Sequence, residues 1–499
     1  MMTATTEAIL AIDQGTTSSR AILFSPEADI LGVSQHEFEQ LFPADGWVEH
    51  RPSDLWETVV KVGREMVTKA NSLGCRLTAI GITNQRETTL IWDRKTGEVI
   101  YNAIVWQDRR TADQCKALQE QECLDIVRNA SGLVLDPYFS ATKIAWILDN
   151  VEGARVRAER GELCFGTVDS FLIWQMTGGK NHVTDATNAS RTNLYNIREG
   201  RWDESLCTLF NVPLSLLPDV QDSAGHFGDC LPDIFGQSLP ICGVAGDQQA
   251  ATIGQACLTS GTIKSTYGTG CFMLANTGQN CLASKNSLLT TIAYQINGQI
   301  TYGLEGSIFV SGAVIQWLRD SMGLLAKSAD SEGLAKSLSD NDGVYMVPAL
   351  TGLGAPHWSP SARGAIYGMT RDTGPAHFAR AALESIAYQT YDLIEAMRAD
   401  GIQPDGLRVD GGMVGNNWLM QFMADILDQQ IDRPVVTETT AWGAAVLALL
   451  GSQQISTLEA TAQLWKLEQT FTPGIVTSAR ETLLAGWQTA VRRTLLDCE

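Results

Sequence analysis

Asp13-Gln14-Gly15-Thr16-Thr17-Ser18-Ser19-Arg20 separates two apolar, strand-like runs, residues 8–12 and 21–24. A second turn of the same chemistry, Tyr267-Gly268-Thr269-Gly270, stands between the runs 263–266 and 271–274. A strand, a tight turn of glycine and hydroxyl residues and a returning strand predict a hairpin whose tip exposes backbone N–H groups. Such clusters bind anions, and Thr or Ser hydroxyls add donors. Either turn alone would read as an ordinary hairpin. Two of them, far apart in the chain, predict two half-molecules gripping one polyphosphate from opposite sides.

Outward from these turns, strand-like runs at 77–83, 89–92, 241–245 and 407–409 alternate with helical patterns at 379–397, 417–427 and 442–449. That alternation predicts an α/β architecture. The 499 residues exceed one hydrophobic core, so two domains are expected, 1–253 and 254–499, with the ligand in the cleft between them. A net charge of −20 argues against nucleic acid and anionic membranes as partners. It also obliges a bound nucleotide to find compensation from Mg²⁺, backbone N–H groups or placed cations. The eleven cysteines form no C-x-x-C pair, which predicts reduced thiols in a cytosol. No signal-type N-terminus is visible, and the apolar run 441–450 is too short to span a membrane. The reading is a soluble, cytoplasmic protein. No G-x-x-x-x-G-K-[ST] occurs, so bound phosphates fall to the hairpins.

Asp13 closes the first strand just before its turn. A carboxylate there would lie beside the phosphates and hold Mg²⁺ directly or through water; the alternative is an Asp that caps its own turn. An unneutralised carboxylate next to a triphosphate would be repulsive, which favours the metal. Arg20 is a candidate phosphate contact or a solvated strand-end arginine. Asp247, in Gly246-Asp247-Gln248-Gln249, follows a buried strand and opens a helix. It reads either as a helix cap or as the base that accepts a hydroxyl proton during phosphoryl transfer. Arg86 and Glu87, in Asn84-Gln85-Arg86-Glu87-Thr88, pair a donor with an acceptor and suit a small polyol; the alternative is an exposed loop with a weak ion pair. Trp106 and Phe272 are candidates for an apolar wall against a carbon skeleton, or plain core. Gly411-Gly412 ends a strand where a base or ribose can approach the backbone. Gly312 and Gln316, four apart, share one helix face. The six histidines show no metal-ligand spacing.

Together these residues resemble the glycerol kinases, a branch of the carbohydrate-kinase family related to actin, hexokinase and the large heat-shock chaperones. The resemblance runs from Asp13 to Pro473-Gly474-Ile475 and includes two signatures. One is Tyr138-Phe139-Ser140-Ala141-Thr142-Lys143-Ile144-Ala145-Trp146 through Asn150; the other runs from Gly364-Ala365-Ile366-Tyr367-Gly368-Met369 to Glu384. The stretches Asn84-Gln85-Arg86-Glu87-Thr88-Thr89 and Gly246-Asp247-Gln248-Gln249-Ala250-Ala251 are similar to the glycerol kinases more than to xylulose, ribulose or gluconate kinases. The resemblance implies that Arg86, Glu87, Tyr138, Asp247 and Gln248 bind glycerol, with Trp106 and Phe272 along its carbon face. It implies nucleotide contacts at Thr16, Thr17, Ser18, Arg20, Thr269, Gly312, Gln316, Gly412 and Asn416, a Mg²⁺-associated Asp13 and a catalytic base at Asp247. The implied fold is two ribonuclease H-like domains around a cleft. The implied reaction is phosphotransfer from ATP to glycerol, giving sn-glycerol 3-phosphate and ADP in a dimer or tetramer. The rivals are a kinase for another polyol, and an actin-like protein that uses ATP only as a switch.

One stretch departs from the resemblance. Some bacterial glycerol kinases bind fructose 1,6-bisphosphate through a Gly-rich loop with basic residues ahead of the Gly-Asp-Gln-Gln motif, and others are phosphorylated there on a His. Here residues 224–236 contain no Lys or Arg, none occurs anywhere from 202 to 263, and Asp233 stands roughly where that His would be. The expectation is an enzyme indifferent to the sugar bisphosphate.

Overall fold

In the computed structural model, which describes residues 6–359 and 361–496, each Gly/Thr turn joins the first two strands of its own sheet. The first links Glu7–Gln14 to Ser18–Phe24 antiparallel, with Asp13 opposite Arg20. The second links Ile263–Tyr267 to Cys271–Gly278, with Thr266 opposite Phe272. Residues 8–12 are buried on both faces, which is why this strand reads as a continuous apolar run and not as an alternation.

The first sheet has six strands in the order Ala224–Cys230, Leu239–Gly246, Arg76–Asn84, Glu7–Gln14, Ser18–Phe24, Ile30–Glu37. Its three central strands, Leu239–Gly246, Arg76–Asn84 and Glu7–Gln14, run parallel. The second has seven: Leu289–Ile296, Gln299–Ile308, Cys271–Gly278, Ile263–Tyr267, Leu407–Asp410, Ile431–Pro434, Leu467–Phe471. There Ile263–Tyr267, Leu407–Asp410 and Ile431–Pro434 are the parallel set. Both sheets therefore share one plan, an antiparallel hairpin with a third antiparallel strand on one side, two parallel strands on the other, and an antiparallel strand beyond those. This is the repeated architecture that the two hairpins predict.

Two helices join the sheets. Asp247–Gly254 leaves the first sheet, and Thr439–Gly451 follows the parallel strands of the second. They touch backbone to backbone: a Cβ at Gly443 would overlap the Ala250 carbonyl. Thr439–Gly451 also lies on the first sheet, where Trp442 meets Phe24 at 5.2 Å between ring centroids. Ala445, Val446 and Leu449 share an apolar cluster there with Ile9 and Ala79. The helix is apolar all round because it is buried all round.

Element ends differ by a few residues from the sequence reading. The expected helix 379–397 spans Pro375–Ala399, since Pro375 is tolerated in a first turn where its missing N–H has no partner to lose. The expected helix 442–449 spans Thr439–Gly451, and the expected strand 89–92 is Leu90–Asp93. No helix among the described residues is long and apolar enough to cross a membrane.

Candidate active site

The three parallel strands of the first sheet end side by side: Gln14 is paired with Asn84, and Asn84 with Gly246. Open parallel sheets place ligands outside the carboxyl ends of such strands. Asp13, the loop 85–88 and Asp247 all sit at that edge.

The loop Gln85-Arg86-Glu87-Thr88 is fully buried, not an exposed loop. Glu87 adopts a left-handed backbone, φ 60°. For a non-glycine this costs roughly 1–3 kcal/mol, and such strain persists where the surroundings over-determine it. Here the Ser140 and Thr89 hydroxyls both donate to its carbonyl at 3.0 Å. Behind the loop, Asn84 and Asn188 exchange amide hydrogen bonds at 3.0 and 3.1 Å. The Arg86 guanidinium donates from Nη1 to Glu305 Oε2 at 2.5 Å and from Nη2 to the Tyr138 hydroxyl at 3.2 Å. Its Nε lies 3.2 Å from Asp247 Oδ1.

Asp247 is the first residue of its helix, and Gly246 occupies the cap position. Its Oδ1 also accepts the Gln248 N–H at 2.7 Å. One hydrogen-bond donor and the Arg86 charge thus meet at Oδ1, in a side chain about one-third exposed. Asp13 faces the same space. Burial pushes its carboxyl up to about 7; Arg20 opposes the rise, and the carboxylates of Asp247 and Glu438 add to it. A carboxyl at that position is a poor anion alone and a good one beside a cation, which fits a Mg²⁺ ion held through one carboxylate, water and phosphate oxygens. Among the described residues no group of three or more His, Cys, Asp or Glu could hold a metal ion.

An aromatic wall borders the two aspartates. Trp106 packs edge-on against Tyr138 at 5.6 Å and against Phe272 at 6.0 Å. The Trp106 indole N–H donates to the Thr16 hydroxyl at 2.9 Å, so the wall is tied directly to the first hairpin turn. Burial raises the Tyr138 phenol well above its ordinary range, so it stays a neutral hydroxyl.

In the first turn Thr17 is exposed, and the Ser18 hydroxyl accepts from Gln35 at 2.9 Å. Arg20 pairs with Glu438 and donates to Gln35 at 2.9 and 3.2 Å. It is partly exposed, and it meets a phosphate only by exchanging these partners. In the second turn Thr269 is exposed. The helix Gly312–Asp320 docks its first turn on that hairpin, Gly312 N–H to the Gly268 carbonyl at 2.9 Å. A Cβ on Gly312 would stand 2.6 Å from that carbonyl oxygen and 3.3 Å from Met413. Gly312, the second hairpin and the 411–413 turn are therefore contiguous. In that turn Gly411 carries the conformational demand, with φ 92° against the Tyr267 backbone, while Gly412 faces open space. Asn416 caps the helix Asn417–Leu427 by accepting the Leu419 N–H at 2.9 Å. Gln316 lies one turn beyond Gly312 and is exposed.

Three charged residues of the site escape the sequence reading. Glu305, on Gln299–Ile308, and Arg191 are fully buried, with Arg191 donating to Glu87 at 2.7 Å and to Glu305 at 2.8 Å. Burial alone would raise the Glu305 carboxyl; Arg191 and Arg86 overcome it and hold it down at about 2. Lys264, buried on the strand before the second hairpin, donates to the Gln248 side chain and to the Thr266 hydroxyl at 3.2 Å. The available signal is a lone charge inside an apolar strand, Leu304-Glu305-Gly306 and Ile263-Lys264-Ser265, because buried charges demand partners.

The segment 224–236 forms a strand and the short helix Pro232–Phe235. Arg64, far away in sequence, donates there to the carbonyls of Ile234 at 2.6 Å and Asp233 at 3.0 Å. The fold thus brings one cation to a stretch that has none of its own, already engaged with backbone oxygens.

Comparison with known proteins agrees with this geometry. Residues 8–254 match the FGGY family of carbohydrate kinases, N-terminal domain, and residues 263–452 the C-terminal domain of the same family. The chain is 60% identical over 486 residues to glycerol kinase of Rhodospirillum centenum, covering 97% of this chain and 98% of that one. It is 58% identical over 490 residues to glycerol kinase of Methylobacterium nodulans, covering 97% and 98%. The crystal structure of Plasmodium falciparum glycerol kinase with ADP superposes with a TM-score of 0.92 at 36% identity, covering 98% of this chain and 99% of that one. Gluconate kinase of Lactobacillus acidophilus, TM-score 0.88 at 19% identity, shares the fold. The chain belongs to the FGGY family of carbohydrate kinases.

Proposed function

We propose that this chain transfers the γ-phosphoryl group of ATP to glycerol, with Asp247 as general base. One observation carries the reading: Arg86 Nε and Asp247 Oδ1 stand 3.2 Å apart beside an aromatic wall bonded to a phosphate-type hairpin. Arg86, Glu87, Tyr138 and Gln248 meet the glycerol hydroxyls, and Trp106 and Phe272 its carbons. Asp247 Oδ2 takes the proton of the terminal hydroxyl as its oxygen bonds to the γ-phosphorus. The bond from that phosphorus to the β,γ-bridging oxygen breaks, and ADP leaves with its electron pair. The N–H groups of the two turns, with Thr16, Thr17, Ser18 and Thr269, hold the phosphates; Gly312, Gln316, Gly412 and Asn416 face the nucleoside; Arg20 reaches the phosphates by leaving Glu438. Asp13 would hold Mg²⁺, which when bound would neutralise charge on the transferring group. Residues 1–253 and 254–499 act as the two closing bodies, and the family matches at 8–254 and 263–452 support that division. Closure excludes water as a competing acceptor. An ATP-driven switch has no use for a buried polyol-sized set of donors and acceptors.

The cytoplasm suits ten free cysteines, eight of them buried, among the described residues. The open sheet edge Ile30–Glu37, with Ile30 and Val33 exposed, supports assembly into a homo-oligomer. The test of function is product formation from labelled ATP with glycerol, dihydroxyacetone, erythritol and xylulose. Glycerol should give the highest kcat/KM; preference for another acceptor would overturn the assignment.

A further inference from the structure

We propose that Glu305 is a positioning residue for the polyol site, acting through Arg86 from the sheet on the opposite side of the cleft. The inference rests on the reading of Arg86 as a glycerol contact.

Glu305 lies on Gln299–Ile308, in register with Leu274 and Leu289 of its neighbouring strands, and has no exposed surface. Its carboxylate receives Arg86 Nη1 on Oε2 at 2.5 Å and, on Oε1, Arg86 Nη2 at 3.3 Å and Arg191 Nη2 at 2.8 Å. Arg191 turns its Nε to Glu87 at 2.7 Å. Two arginines and two glutamates thus close a buried ring in which Arg86 and Glu87 are the members that face substrate. The two-pronged grip of Glu305 fixes the plane of the Arg86 guanidinium. With both Nη groups so held, Nε stays 3.2 Å from Asp247 Oδ1 as an ion-pair contact, and Nη2 retains an edge for the Tyr138 hydroxyl. Without Glu305 the same guanidinium would be drawn onto Asp247, the group that must stay available for the proton.

A buried ionic ring is a weak way to stabilise a fold, because desolvation offsets most of the attraction. Its use here is orientation. Lys264 repeats the device, since it too belongs to the second sheet and holds a residue that follows the first, Gln248. The polyol-binding face is therefore complete only while the two sheets keep their relative placement.

The test is a double-mutant cycle on glycerol KM and ATP KM with Glu305→Gln, Arg86→Gln and the double variant. Loss of a charge-assisted hydrogen bond predicts that Glu305→Gln raises glycerol KM by about tenfold or more and changes ATP KM by less than about threefold. The double variant should be no worse than Arg86→Gln alone, because Glu305 acts through Arg86. Multiplying fold-changes in the double variant, or equal rises in both KM values, would overturn the proposal while leaving the polyol site intact. An Arg86→Gln enzyme with normal glycerol KM would overturn the reading of Arg86 itself and the proposal with it. Should Glu305→Gln not fold, Glu305→Asp keeps the charge and withdraws it by one methylene; the same selective rise in glycerol KM is then expected, and its absence overturns the proposal.

Discussion

Replacing Asp13 with asparagine should make the ligand-free protein more stable and the enzyme nearly inactive, with a pH signature that separates this from any generic effect. Burial holds the Asp13 carboxyl at about 7 instead of 3.8. Between those values the native state keeps a proton that the unfolded chain has lost, so stability falls as pH rises through that window. Full ionisation corresponds to a loss on the order of 4 kcal/mol; screening in a partly open cleft reduces this to about 2 kcal/mol. The amide that replaces the carboxyl cannot ionise and escapes the loss. For a body of this size a change of about 2 kcal/mol moves a thermal midpoint by about 4–8 °C.

The assay is the difference in thermal midpoint between Asp13→Asn and the parent, ligand-free, across about pH 4 to pH 8. It should be small at the acid end, grow toward pH 7 and level off. Packing differences between Asp and Asn do not titrate, so a difference independent of pH would refute the reasoning. Binding of Mg²⁺ with nucleotide near pH 6.5 should release a proton from the parent and none from the variant, measurable as heat that depends on the buffer. Turnover in the variant should fall by at least about 10–100-fold, the scale on which a metal's supporting partner acts.

Asp247→Asn should fold, bind ATP and lose about 10²–10⁴ in kcat, the usual worth of a general base; near-normal turnover would reduce Asp247 to a first-turn helix residue. Arg86→Ala should raise glycerol KM by one to two decades, about 1.5–3 kcal/mol, and ATP KM far less; parallel rises would indicate a folding or closure defect. Glu438→Gln should lower ATP KM by up to about fivefold, since Arg20 then reaches phosphate without breaking an ion pair worth about 0.2–1 kcal/mol; an unchanged or higher ATP KM would show that Arg20 stays where it is. Fructose 1,6-bisphosphate, titrated at fixed glycerol and ATP, should leave the rate unchanged, because Arg64 is the cation the fold adds at 233–234 and it is bonded to carbonyls; saturable inhibition would contradict this.

The two hairpins are legible in sequence because each feature of them is local: apolar runs, a turn of small hydroxyl residues, and a second copy. Asp13 and Asp247 are legible for the same reason, since a carboxylate at a strand end announces itself wherever the strand is clear. Arg86 and Glu87 stand out as residues, but their setting does not. The sequence reading allows an exposed loop; the structure buries it, and the left-handed Glu87 depends on hydroxyls of Thr89 and the distant Ser140. Arg20 shows the opposite limit, because its proximity to the phosphate turn is local and its pairing with Glu438 spans most of the chain. Arg191, Glu305 and Lys264 escape the sequence reading because their meaning lies entirely in contacts between residues remote in sequence.

Those three residues change how the net charge of −20 should be understood. Arg86, Arg191, Lys264 and Arg20 all lie close to the cleft, yet each already meets a carboxylate or a side-chain amide. On the proposed reading, a triphosphate entering this space would find its fixed cations engaged and three carboxylates nearby, Asp13, Asp247 and Glu438. Binding ATP without a metal would therefore press like charges together. On the proposed reading, binding it with Mg²⁺ would ionise Asp13 usefully and let Arg20 exchange Glu438 for phosphate. On that reading the engaged cations would make the acidic cleft selective for the metal complex of the nucleotide and would hold the polyol contacts ready without competing for its phosphates.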